Sequence, residues 1–160
     1  MVALLALSAC GYRFVAPLSQ LPEGIRAVRV PMFDNRTAEP SAELLFTRAA
    51  RDALHRAGLL GGDDATAELK GSVVSITSYA FMTSPTLPRQ PGQRMTVTVS
   101  LKLENEGRPV NAATVTVTEE FPSGADVLLT ESNRQQALHR LAEAAVREGL
   151  ERFQTTGSAR

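Results

Sequence analysis

Few side chains in this chain have a type and spacing that could do chemistry. The most distinctive is the single cysteine, Cys10, at the end of the apolar run VALLALSA. A lone cysteine has no disulfide partner within its own chain. Leu7, Ser8, Ala9 and Cys10 match the bacterial lipobox, in which small residues let the segment enter a processing site and the thiol attacks a lipid donor. The product is a thioether to diacylglycerol, and cleavage before the cysteine exposes an amine that is itself acylated. Each buried acyl CH₂ contributes about 0.8 kcal/mol, and two or more chains hold firmly. A lipidated Cys10 is therefore a lasting anchor. Residues 1–9 read as a signal peptide with an h-region but no basic n-region, so either the true start lies upstream or the signal is abbreviated. Gly11 rather than Asp follows the cysteine, which favours the outer membrane.

The remaining reactive groups do not converge. His55 and His139 fall on separate predicted helices without metal-ligand spacing, and Glu119 and Glu120 are neighbours on a predicted strand, where they point to opposite faces. Glycines form neither a phosphate loop nor a dinucleotide fingerprint. No enzyme, metal or cofactor beyond the covalent lipid is expected. Arg89 and Arg94 flank Gln90-Pro91-Gly92-Gln93, a spacing at which two guanidinium forks could approach one anionic ligand. The plainer reading of that segment is a solvated turn.

These groups need a scaffold, and 160 residues suffice for one domain with a real core. Formal net charge is zero, with no tryptophan and 5% aromatics. That offers no electrostatic or stacking case for nucleic-acid binding. Ile25–Val30 reads as a first strand closed by Pro31, followed by the polar loop FDNRTAEP. Ser41 precedes an apolar stripe at Ala42, Leu45, Phe46, Ala49, Ala53, Leu54 and Ala57, with Gly58 as the stop. Ala67–Phe81 reads as a long strand in which Gly71 marks a bulge or close packing. SPTLPRQPGQR, with three prolines, reads as a loop.

From Met95 to Leu103 apolar residues alternate with Thr96, Thr98, Ser100 and Lys102, and after Asn105-Glu106-Gly107 the alternation resumes at Ala113, Val115 and Val117. This is a hairpin with one apolar and one threonine-rich face. A second helix spans about Glu131–Phe153, with Thr130, Ser132 and Asn133 as candidate caps. The expected fold is α+β, order βαβββα, with two helices on one face of a four-stranded mixed β-sheet. The expected parts are a signal peptide (1–9), a lipidated linker (10–21), a domain (22–153) and a flexible tail (154–160).

Three stretches carry a family resemblance: the Cys10-Gly11-Tyr12 start, the loop P-x-F-x-N-R-T-x-E-P from Pro31 to Pro40, and T-E-x-N-x-x-x-A-L-x-x-L-A from Thr130 to Ala142. In order and spacing they resemble the LptE family of outer-membrane lipopolysaccharide-assembly lipoproteins. The resemblance implies two helices against a four-stranded sheet, a position as plug inside the LptD β-barrel, and a part in inserting lipopolysaccharide into the outer leaflet. It also implies basic contacts to lipopolysaccharide, which Arg89 and Arg94 match. A second basic position of some members falls near LLTESNR, where Arg134 is the nearest cation without being an aligned match.

The stretch VRVPMFDNRT also resembles LpoB-type activators of peptidoglycan synthases and CsgG-like secretion proteins. The former usually carry a long disordered linker after the lipid cysteine, and the latter are longer and insert strands into the membrane. Only about a dozen residues separate Cys10 from the first predicted strand. On the anchor reading, Cys10→Ala is expected to yield an unlipidated chain that leaves the detergent phase in a partitioning assay. Unchanged partitioning and location would contradict it.

Overall fold

The computed structural model describes residues 21–82 and 91–157, with side chains described as far as Gln154. Cys10 and Arg89 lie outside the described residues. Strands β1 (Val28–Arg29) and β2 (Asp34–Asn35) precede helix α1 (Ala42–Arg56). Long strands β3 (Ala67–Met82), β4 (Pro91–Asn105) and β5 (Arg108–Pro122) follow, and helix α2 (Val127–Gly157) ends the domain. The strands lie in the order β1-β3-β4-β5, with β2 further along the β1 side of β3. β1 and β2 run parallel to β3, and β3-β4-β5 form an antiparallel meander. The α+β class, the mixed sheet and the two helices are those read from the sequence.

β4 explains why both helices lie on one side. Met95, Val97, Val99, Leu101 and Leu103 are all buried, and each intervening side chain faces the opposite way. Fully burying such side chains stabilises the fold by about 1.5–3 kcal/mol each. That demand is met by α2, which packs on β5 and β4, and by α1, which packs on α2 and β3. Phe46, Leu54, Leu141, Val146 and Phe153 supply the helix side of the core.

α1 ends as expected. Gly58 is left-handed at φ +69°, the Gly58 N–H donates to the His55 carbonyl, and the Leu59 N–H donates to that of Leu54. This is the paired-bond termination that favours glycine.

The first strand differs from expectation. Ile25–Val30 contributes only two ladder residues, and a second piece forms at Asp34–Asn35 inside the predicted loop. Between them Pro31 diverts the chain, and α1 takes over its polar groups. Arg51 donates to the Val30 carbonyl (2.8 and 3.2 Å), while Thr47 Oγ1 accepts the Phe33 N–H at 2.9 Å.

The helix-two boundary differs too. α2 starts at Val127, and Asp126 Oδ1 caps it by accepting the Leu129 N–H at 2.8 Å. Val127 and Leu128 are each 83% exposed, so the first turn has no buried stripe to announce it. At the other end the helix runs to Gly157, past the expected start of the tail, since no proline or earlier glycine interrupts Gln154-Thr155-Thr156.

Gly71 marks close packing, and the bulge lies three residues on. The β3–β4 register slips between Val73 and Ser75, leaving Val74 as the extra residue. A Cβ on Gly71 would stand 2.2 Å from the Phe33 ring. Only a residue without a side chain lets that ring lie against the strand. Gly71→Ala is expected to destabilise the fold by about 1–3 kcal/mol in urea unfolding. Combined with Phe33→Ala it should cost less than the sum of the two changes. Strict additivity would show that the ring does not sit there.

Candidate functional site

The face of the sheet away from the helices is open and polar. Cross-strand pairs stack Thr96 on Thr118 (Oγ1–Oγ1 2.9 Å) and Thr98 on Thr116 (3.0 Å), with Ser100 opposite both Ser72 and Thr114. Threonine suits this position because its branched carbon fits the pleat while its hydroxyl stays toward solvent or a polar partner. At one end the face turns ionic. Lys70 Nζ lies 2.7 Å from Glu104 and 3.4 Å from Glu68, whose other contact is Arg29 at 2.8 Å. The bond to Glu104 chiefly, opposed in part by desolvation, holds the Lys70 ammonium above its ordinary pKa.

The other end carries Arg94, which stands in β4 and not in a loop. The strand begins at Pro91, earlier than the prolines indicated, because the first residue of a strand needs no N–H for the ladder. Arg94 lies between Tyr79 of β3 and Glu120 of β5. Its Nε donates to Glu120 Oε1 at 2.8 Å, Nη2 donates to the same oxygen, and Nη1 donates to the Tyr79 hydroxyl at 2.8 Å. The guanidinium carbon also lies 5.6 Å and 5.5 Å from the ring centroids of Tyr79 and Phe81. A Cβ on Gly92 would meet the Phe81 ring at 2.9 Å, so glycine leaves room for that ring beside the strand. Glu120 first, then Tyr79, holds the Arg94 pKa above its ordinary value.

Glu119 and Glu120 do point apart. Glu119 takes Arg140 of α2 at 2.5 Å, and Glu120 takes Arg94 on the open face. His55 and His139 are exposed on separate helices. Among the described residues no group of three His, Cys, Asp or Glu side chains could hold a metal ion.

A further cluster was not read from the sequence. Arg134 of α2 binds Glu39 through both terminal nitrogens, Nη1 to Oε2 and Nη2 to Oε1, each at 2.9 Å. Its Nε donates to Glu131 Oε2, also at 2.9 Å. The Arg134 and Glu39 side chains are only 23% and 14% exposed, so solvent screens them less than an open pair. Glu39 and then Glu131 raise the Arg134 pKa, and Arg134 is the main cause of a lowered pKa at Glu131.

Glu39 lies in the Pro31–Pro40 loop, and Glu131 lies in the Thr130–Ala142 stretch. Around Glu39, Asn35 Oδ1 accepts the Thr37 N–H, and Asn35 Nδ2 donates to the Glu39 carbonyl and to Glu43. Around Glu131, Thr130 Oγ1 accepts the Gly124 N–H and Asn133 Nδ2 donates to the Pro122 carbonyl. Two of the three stretches that carry the resemblance are thus halves of one lock between the β2 loop and the start of α2. The signal that could have found it was the co-occurrence of both motifs with one acid and one arginine.

Solved bacterial lipoproteins share this two-layer α+β fold. A putative lipoprotein from Caulobacter crescentus superposes with a TM-score of 0.55 at 16% identity, over 80% of this chain and 92% of that one. The rare lipoprotein B from Shewanella oneidensis gives 0.54 at 12% identity, over 80% and 95%. PelC, a dodecamer from Paraburkholderia phytofirmans, gives 0.55 at 20% identity, over 84% and 92%. No curated protein matches the sequence. The chain belongs to the LptE family, described as lipopolysaccharide-assembly, which it matches over residues 25–153.

Since charge-assisted hydrogen bonds contribute about 1.5–3 kcal/mol, Arg134→Met should destabilise the protein by about that much and Glu39→Gln by somewhat less. The double change should be sub-additive in denaturant unfolding. Acid should also weaken the lock. A carboxyl held below its usual range, as Glu131 is, stabilises the fold above that range and loses its effect as pH falls through the folded value. Melting temperature should therefore fall less between pH 6 and pH 3 in Glu131→Gln than in the parent protein. An equal fall would remove Glu131 from the lock.

Proposed function

We propose that this protein is an outer-membrane lipoprotein, anchored through Cys10, that plugs an LptD-type β-barrel and takes part in delivering lipopolysaccharide to the outer leaflet. Membership of the LptE family across residues 25–153 is the observation that carries this reading. Its role is non-enzymatic: it binds, fills and helps assemble.

The physical character of the domain supports the same role. The lumen of a large outer-membrane barrel is polar, and a plug must present hydrogen-bonding groups to it without exposing its own core. The hydroxyl rows of Thr96, Thr98, Thr116 and Thr118 do this on one side. Arg48, Arg140, Arg147 and Arg152 keep the outer helix surfaces charged, each beside an acid. Apart from the exposed apolar first turn of α2, both faces of the two-layer domain are therefore wettable. Arg89 and Arg94 are the proposed contacts to the phosphates of lipopolysaccharide, for which arginine forks are well suited. The peptidoglycan-synthase activator reading has no comparable observation in its favour.

The decisive experiment is affinity purification of the full-length protein from its own outer membranes in mild detergent. Near-stoichiometric recovery of a large β-barrel protein, with lipopolysaccharide, is expected. Recovery of a peptidoglycan synthase, or of the lipoprotein alone, would overturn the proposal.

A further inference from the structure

Arg94 is already occupied. Its donor edge, Nε and Nη2, faces one carboxylate oxygen of Glu120, which is where a bound phosphate oxygen would accept the same two bonds. The third nitrogen, Nη1, donates one of its two N–H groups to the Tyr79 hydroxyl. The rings of Tyr79 and Phe81 lie within cation–π distance of the guanidinium and fix its position independently of the acid. One set of contacts therefore positions the arginine, and a separate one fills its binding edge.

We infer that Glu120 is an internal counter-ion standing in for an anionic ligand, and that a phosphate-bearing ligand must displace its carboxylate to take the Nε/Nη2 edge of Arg94. This rests on the reading of Arg94 as an anion contact. Tyr79 and Phe81 are then positioning residues, keeping the guanidinium aimed outward from the open sheet face once Glu120 has left. The arrangement gives selectivity. A single weak carboxylate gains little by replacing another carboxylate, whereas a dianionic phosphate gains charge and acceptor oxygens.

The Arg94 and Glu120 side chains are 41% and 49% exposed, so the acid can swing into solvent without leaving a buried charge behind. Glu119 is a natural control. It is the adjacent residue with the same charge, but it faces α2 and is engaged by Arg140.

The test measures binding of purified lipopolysaccharide, of the same lipid with its phosphates removed, and of inorganic phosphate to the full chain and its variants. Glu120→Gln is expected to tighten binding of the phosphorylated lipid roughly two- to fivefold, the range an exposed ion pair can supply. Glu119→Gln and the dephosphorylated lipid should show no such gain, and Arg94→Ala should cancel it. A gain with inorganic phosphate as well would locate the recognition in the phosphate alone, and its absence would assign it to the lipid-borne phosphate. Both fit a displaced counter-ion.

Unchanged or weaker binding by Glu120→Gln, or an equal gain from Glu119→Gln, would overturn the inference by reducing it to structure or to bulk charge. If Arg94→Ala binds as well as the parent, Arg94 is not an anion contact, and that earlier reading fails instead.

Discussion

The structure depends on one constraint: the unbroken alternation along β4. Five buried apolar side chains in nine residues, Met95 to Leu103, commit one face of the meander to burial. Because strand side chains alternate, the same run commits Thr96, Thr98, Ser100 and Lys102 to the other face. A register slip by one residue would exchange the two sets, so the pairing of β4 with both neighbours is strongly specified. Helices are needed on the first face and excluded from the second. An open, hydroxyl-lined sheet surface follows from the core it backs.

Two polar stretches, Pro31–Pro40 and Thr130–Ala142, act on this frame as fasteners. Asn35, Thr37 and Glu39 organise the segment leaving β2, Thr130 and Asn133 organise the start of α2, and Arg134 joins the two through Glu39 and Glu131. Phe33 adds a packing contact by lying against Gly71, with its backbone N–H given to Thr47. None of these groups is arranged for catalysis.

What was legible in the sequence was whatever local pattern determines. The β4–β5 hairpin was readable because period two persists on both sides of Asn105-Glu106-Gly107, and the α1 stop because Gly58 supplies a left-handed residue. What was not legible depends on partners far along the chain. The break in the first strand follows from Arg51 and Thr47 accommodating backbone groups about 14 to 21 residues away. The start of α2 is hidden in the sequence because Val127 and Leu128 are exposed, leaving short-range bonds from Leu129 and Thr130 to Asp126 to mark it. From the sequence Arg94 reads as a loop residue because three prolines precede it, yet Pro91 is the first residue of β4, a position that tolerates proline. That it is held by Glu120 and by two rings on a neighbouring strand could come only from the folded register.

On the proposed function, the open sheet face meets the wall of a barrel. The most direct test replaces Thr116, exposed on that face midway along the edge strand β5, with a photo-crosslinking residue in living cells. A covalent adduct with a large outer-membrane β-barrel protein is the expected result. Absence of that adduct, in cells where the variant is correctly anchored and copurifies with the barrel, would contradict the claim and leave the polar face open to solvent.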